Sequence, residues 1–168
     1  MLSWLPLVAV VVAALLVRAF VIEPYVVPSP SMESTLLVGD VFLGEKWDVA
    51  ARPPEPGEVV TFLDPRGSGQ TLVKRVVAVA GQVVDVRDGT LWVDGERLAE
   101  PYARGRTLEL EGSAQAFPQT VPEGCVWVMG DNREDSLDSR AYGPVRVGSV
   151  TSRAWVRVVP WSRRGRIG

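Results

Sequence analysis

The longest apolar run in the chain lies at its start. Residues 4–17, WLPLVAVVVAALLV, carry no charge, and AFVI follows Arg18. From Trp4 to Ile22 the stretch counts 19 residues, within the roughly 17–25 that a helix needs to cross a bilayer core. No polar face interrupts it, so it does not read as a surface helix of a soluble domain. Pro6 falls in the first turn, where a missing N–H costs little, and Glu23-Pro24 ends the run. Arg18 sits near one end, where its side chain can snorkel. A cleavable signal peptide would carry a positive n-region and a small-residue cut site, and neither is present. The pattern therefore predicts a transmembrane anchor over residues 1–22. Counting basic flanks leaves its orientation open.

Beyond residue 40 the period changes to two. DVFLGEKW, EVVTFL, TLVKRVVAVA, VVDVRD, TLWVDG, CVWVMG and RAWVRVV are β-rich runs separated by Gly, Pro and Asp clusters. Asp88-Gly89 and Asp94-Gly95 suit two-residue hairpin turns. No soluble segment holds a 3.6-residue period over ten residues. The reading is a mainly β chain: a catalytic core from residues 23–80 and 124–160, a β-rich insert over 81–123, and a basic tail over 161–168.

Composition narrows the chemistry. Apolar residues make up 46% and charged residues 23% of 168, an ordinary globular balance. Eighteen basic against twenty acidic residues, net −2, argues against a dedicated nucleic-acid binder. The single cysteine, Cys125, excludes an intramolecular disulfide and a multi-cysteine zinc site. It lies in an alternating strand and reads as core. There is no histidine, so no Ser-His-Asp triad, Cys-His dyad or His-ligated metal can exist. A hydrolase built from this chain must take its base from Lys, Asp, Glu or the terminal amine. Only Lys46 and Lys74 are lysines.

Three segments could carry such chemistry. In PSPSMESTL (28–36), Pro28 and Pro30 stiffen the backbone around Ser29 and Ser31; the same composition also suits a linker. In TLVKRVVAVA (71–80), alternation puts Lys74 on a face with Leu72, Val76 and Ala78. Such a lysine is either desolvated, with a lowered pKa, or snorkels at a sheet edge. Arg75 faces the other way and needs a carboxylate. GDNREDSLDSRAYG (130–143) is either a turn-rich loop or a scaffold of ion pairs around a hydroxyl.

Together, in this order behind one apolar helix, these segments resemble the type I signal peptidases, membrane proteases with a serine/lysine dyad that remove signal peptides. RAFVIEPYVVPSPSMESTL (18–36) is similar to that family's nucleophile box, LVKRVVAVAG (72–81) to its lysine box, and GDNREDSLDSRAYG to its last box. The resemblance implies Ser31 as nucleophile and Lys74 as general base. It implies Ser29 as an oxyanion donor beside the Ser31 N–H, and Ser136 as the group that orients the Lys74 amine. Asp131 with Arg75, and Asp138 with Arg140, would be supporting ion pairs. Tyr25, Val27, Met32, Leu36 and Val73 would line pockets for small P1 and P3 residues. The implied fold is an antiparallel, β-barrel-like catalytic domain with a smaller β insert. The implied setting is the bacterial cytoplasmic membrane, crossed once, with the β-domain on the extracytoplasmic side. The expected partners are signal peptides of exported preproteins, cut after Ala-x-Ala, and the phospholipid bilayer. No cofactor, metal or nucleic acid is expected, and the oligomeric state stays open. Two positions depart from the family pattern: Ser34 stands where Pro is usual, and Gln82 where Asp is usual. Two other functions remain compatible with the residues: a self-cleaving Ser/Lys protease of the repressor type, and a non-catalytic anchored β-domain that binds a partner.

Overall fold

The computed structural model describes residues 4–168. Helix α1 (Leu5–Phe20) is 16 residues long and buries none of them. At 1.5 Å per residue it extends about 24 Å. Among the described residues no helix is long and apolar enough to cross a membrane. The apolar pattern over Trp4–Ile22 predicts a longer helix than the one found. The reason is tertiary: Ile22 is drawn into strand β1 (Ile22–Val26), where it pairs with Glu45. Residues 1–3 of the expected anchor lie outside the described residues.

The chain continues through β2 (Val41–Glu45), a short helix α2 (Trp47–Ala51), β3 (Val59–Leu63) and β4 (Thr71–Val79). Strands β5 (Val83–Arg87), β6 (Thr90–Val93), β7 (Glu96–Arg97) and β8 (Gln119–Thr120) follow. The last part holds β9 (Cys125–Met129), helix α3 (Ser139–Tyr142), β10 (Val145–Arg146), β11 (Val150–Val159) and β12 (Gly165–Arg166). The protein is mainly β, and its strands pair antiparallel throughout.

Two sheets result. The larger runs β1-β2-β11-β3-β4-β9-β10, with β12 added beside β11; the smaller runs β7-β6-β5-β8. The larger sheet is an open path with β1 and β10 at its ends, not a closed barrel. Asp88-Gly89 and Asp94-Gly95 close the β5–β6 and β6–β7 hairpins with all four residues at positive φ, the conformation a type I′ turn requires.

Three apolar clusters fill the interior. One joins the sheets through Val77, Ala78, Val84, Leu91, Trp127 and Met129. A second lies around Val60, Phe62, Val76 and Val128. The third packs Val27, Met32, Leu36, Phe42, Val59 and Ala154 beneath the segment that follows β1. Strand β4 is central: β3 flanks it on one side, β9 on the other, and residues 74–78 are all buried. Any charged side chain on β4 must therefore find its partners inside the protein.

Candidate active site

The segment after β1 presents Ser31 from a rigid turn. Val27 is tied to the 39–40 loop by two backbone hydrogen bonds of 2.9 Å. Ser29 is extended, and Pro30 opens a 3-10 turn over Pro30–Met32. Proline suits that first position because it has no N–H to leave unpaired. Met32 drops into the third apolar cluster and pins the turn from below. Ser31 is only 6% exposed.

Lys74 meets it from β4. Its side chain is 4% exposed, and its amine lies 2.7 Å from Ser31 Oγ and 3.0 Å from the Val73 carbonyl oxygen. Of the two readings open to this lysine, the structure selects burial over the sheet edge. Burial pushes the pKa down to about 8; the Asp138 and Asp131 carboxylates oppose the shift, and the Arg66 charge assists it. Ser29 Oγ lies 3.3 Å from Ser31 Oγ. Lys46 is remote from this pair and bridges to Glu23.

Two buried ion pairs frame the dyad. Arg75 binds Asp131 through two hydrogen bonds of 2.9 and 2.8 Å. Arg140 binds Asp138 through two of 2.9 Å. Asp138 also caps α3 and accepts from the Gly130 N–H at 3.0 Å, so one carboxylate organises both ends of the 130–140 loop.

Ser136 does not meet expectation. Its hydroxyl is buried without a hydrogen-bond partner among the described residues and makes no bond to Lys74. The lysine amine takes the carbonyl of its own neighbour, Val73, instead. Ser136 nevertheless packs against the site: a Cβ placed on Gly130 would clash with its side chain and lie 2.5 Å from the Ser31 carbonyl oxygen.

The expected pocket residues separate into two layers. Tyr25 and Val73 line a small cavity of about 30 Å³, together with Val26, Pro28, Phe42, Thr61, Thr71 and Leu72. Val27, Met32 and Leu36 do not line it; they are buried in the core below. Alternation explains the first of these: Val26 is 66% exposed at the sheet edge, so its neighbour Val27 must point inward. Larger cavities lie elsewhere; Ser31 and Lys74 line neither those nor the small one, which adjoins the dyad through Val73, the chain neighbour of Lys74.

Several site residues have no individual signal in the sequence. The Asn132 N–H donates to the Ser31 carbonyl at 3.1 Å, and its side-chain amide donates to the Pro30 carbonyl at 3.2 Å. Thr35 donates to Asp131 at 2.5 Å and accepts from Arg75 at 3.0 Å. Tyr102 lays its ring 4.0 Å from the Arg75 guanidinium, a cation–π contact. Arg133, fully buried, pairs with Glu100. Glu100 and Tyr102 come from the connection between β7 and β8, far from the motif segments in sequence. The two departures from the expected pattern also acquire reasons. Ser34 has φ +93°, a value that the fixed ring of proline cannot reach. Gln82 accepts from the Val79 N–H and donates to Asp94, holding the β4–β5 turn.

The arrangement offers a hydroxyl, a buried amine of lowered pKa against it, and a second hydroxyl alongside. That is the equipment of nucleophilic acyl transfer with an amine base. The chain is similar to known proteins over most of its length. The family described as "Signal peptidase, peptidase S26" matches residues 1–161. A probable signal peptidase I-1 of Synechocystis sp. is 39% identical over 96% of this chain and 84% of its own length. Signal peptidase I of Mycobacterium tuberculosis is 35% identical over 94% of this chain and 72% of its own. A signal peptidase I crystal structure from Enterococcus faecalis V583 aligns with 60% of this chain and 96% of that one, at 35% identity and a TM-score of 0.49.

Proposed function

This chain belongs to the signal peptidase family, peptidase S26, and we propose that it cuts signal peptides from exported preproteins with Ser31 as nucleophile and Lys74 as general base. The observation that carries this reading is the 2.7 Å separation of Lys74 Nζ and Ser31 Oγ inside a buried site. A free lysine amine, with a pKa of about 10.4, is almost wholly protonated at neutral pH and cannot act as a base. Burial makes the neutral amine accessible.

In the proposed reaction the neutral Lys74 amine removes the Ser31 proton as Oγ adds to the scissile carbonyl carbon. The Ser31 N–H and the Ser29 hydroxyl donate to the oxyanion that forms. Collapse of the tetrahedral species breaks the C–N bond, and the Lys74 ammonium gives its proton to the leaving amine. A water molecule, deprotonated by the same amine, then hydrolyses the acyl-enzyme and restores Ser31. The small size of the cavity beside Tyr25 and Val73, about 30 Å³, supports small residues such as Ala at P1 and P3. Asp131–Arg75 and Asp138–Arg140 act as walls that hold the two catalytic segments.

The apolar residues of α1 are exposed along its whole length, which supports a role as a bilayer anchor. The β-rich part would then work at the membrane surface, on the extracytoplasmic side of a bacterial cytoplasmic membrane, where a substrate's own apolar segment ends. The smaller sheet is read as an insert over 81–123 in a core of 23–80 and 124–160.

The test is cleavage of a peptide with an Ala-x-Ala site by the wild type and by Ser31→Ala, with the product termini read by mass spectrometry. Cleavage after the second Ala by the wild type alone supports the reading. Equal turnover by Ser31→Ala refutes it.

A further inference from the structure

The turn that follows Ser31 is held in a conformation its residues do not favour. Three non-glycine residues among those described have positive φ: Ser34, Asp88 and Asp94. The two aspartates sit in hairpin turns that require it. Ser34, at +93°, sits in no hairpin. For a serine this is a strained backbone, which persists only where its surroundings enforce it.

Thr35 is held from the core side, by Asp131 and Arg75 on its hydroxyl and by the Arg157 guanidinium on its carbonyl at 2.7 Å, while the side-chain contacts on Glu33 and Ser34 come from one segment, residues 102–104, in the connection between β7 and β8. The Ser34 hydroxyl donates to the Tyr102 carbonyl. The preceding residue, Glu33, accepts from the Arg104 guanidinium at 2.7 Å. The same segment grips the loop on the other side of the nucleophile. The Arg104 N–H donates to the Asp131 carbonyl at 2.7 Å, and the Arg133 N–H donates to the Arg104 carbonyl at 2.9 Å. Between those two positions lies Asn132, whose N–H holds the Ser31 carbonyl. The contacts form a ring: Ser31 to Asn132, across the 131–133 loop to Arg104, and back through Glu33 and Ser34 to the turn that carries Ser31. Tyr102 adds a second grip through its ring on Arg75, the neighbour of Lys74 on β4.

We propose that Ser34 and Arg104 are positioning residues, and that the 102–104 strap fixes the orientation of Ser31 against Lys74 by holding the 33–35 turn in its strained form. This rests on Ser31 being the nucleophile. Neither residue touches the dyad, so both act through the turn. A small displacement of a nucleophile lowers the rate of the chemical step far more than it lowers binding. The strap ties on both sides of Ser31, so releasing one tie lets the turn relax away from the geometry seen here.

The test compares Ser34→Ala, Ser34→Gly, Arg104→Ala and Arg104→Lys, using steady-state cleavage of an Ala-x-Ala peptide and thermal melting. Ser34→Ala keeps the backbone strain and loses the tie. It should lower kcat by about 10-fold or more with KM changed less than about twofold. Ser34→Gly also loses the tie but adopts this φ without cost, so it should recover part of that kcat. Arg104→Lys keeps a charge for Glu33 and should retain more kcat than Arg104→Ala. Melting curves identify how much of each variant is folded, and kcat is expressed per folded enzyme. Full kcat in folded Ser34→Ala and Arg104→Ala overturns the proposal, as does a matched rise in KM with kcat unchanged. Failure of the wild type to cleave the peptide would instead strike the proposed function, so the two failures are distinct.

Discussion

Lys74 and Arg75 are consecutive on β4, both are buried, and they serve opposite faces of the strand. The Lys74 amine ends 2.7 Å from Ser31 Oγ, while the Arg75 guanidinium ends in a two-bond pair with Asp131. The two cations are thus treated differently. Arg75 has a carboxylate of its own. Among the described residues Lys74 has only neutral oxygens within hydrogen-bond distance, and desolvation lowers its proton affinity.

Replacing either member of the dyad should abolish cleavage. Ser31→Ala and Lys74→Ala are each expected to leave turnover at background while circular dichroism stays that of the wild type. Groups that act as a unit are not additive, so the double variant should be no worse than the singles. Near-normal turnover in a folded Lys74→Ala protein would remove lysine from the mechanism.

The rate should rise with pH through a midpoint near the Lys74 pKa of about 8. Only the neutral amine can take the Ser31 proton, so activity is low below this value and reaches its plateau above it. The Asp138 carboxylate favours the ammonium. Asp138→Asn should therefore move the midpoint to lower pH. A pH–rate profile rising only near 10.4 would contradict the buried base.

The same burial predicts a stability cost. Unfolded lysine holds its proton to about 10.5, whereas folded Lys74 releases it at about 8. The native state therefore binds fewer protons between those values, and stability rises with pH across that window. Below about pH 8 the cost of burying the charge is present in full, on the order of 3 kcal/mol. Lys74→Met should accordingly melt higher than the wild type at pH 7, and the gap should shrink as pH approaches 10. A lower melting temperature at pH 7 would show that the amine stabilises the fold.

Asp138→Ala strands the buried Arg140 guanidinium and uncaps α3. Leaving one member of such a pair typically costs about 3–5 kcal/mol. For a chain of this size that corresponds to a melting temperature lower by roughly 10 °C. Activity should fall as well, because the Gly130 N–H loses its acceptor and the loop against Ser31 loosens. Loss of activity with an unchanged melting curve would move Asp138 from support to catalysis.

Substrates with a bulky P1 residue should be cut slowly. The cavity beside Val73 is small, and its walls, Tyr25 stacked on Phe42 at 5.2 Å, belong to the packed core. Forcing extra volume into such a site costs about 1–3 kcal/mol. Competition between Ala-x-Ala and Ala-x-Leu peptides should favour the former by about 10-fold or more. Equal rates would remove the pocket assignment.

What the sequence determined alone is what composition and local pattern decide. The absence of histidine left lysine among the few possible bases, period-two runs marked the strands, and Asp-Gly pairs marked the hairpins. Arg75 could be assigned a carboxylate partner because alternation turns it away from Lys74. What only the tertiary structure decided are the relations between distant segments. Whether Lys74 is buried or at an edge depends on β3 and β9 flanking β4, which no window around residue 74 contains. The helix ends at Phe20 because Ile22 gains a partner in Glu45, and apolar count cannot register that competition. Val27, Met32 and Leu36 share the hydropathy of pocket residues, but their direction is fixed by the turn and the core beneath it. Ser136 and Asn132 are both polar residues of one loop. Backbone geometry alone hands Asn132 the Ser31 carbonyl and leaves the Ser136 hydroxyl unpaired. The contacts of Glu100, Tyr102 and Arg104 depend on the chain folding the β7–β8 connection back over the catalytic loop, which residue type and spacing do not encode.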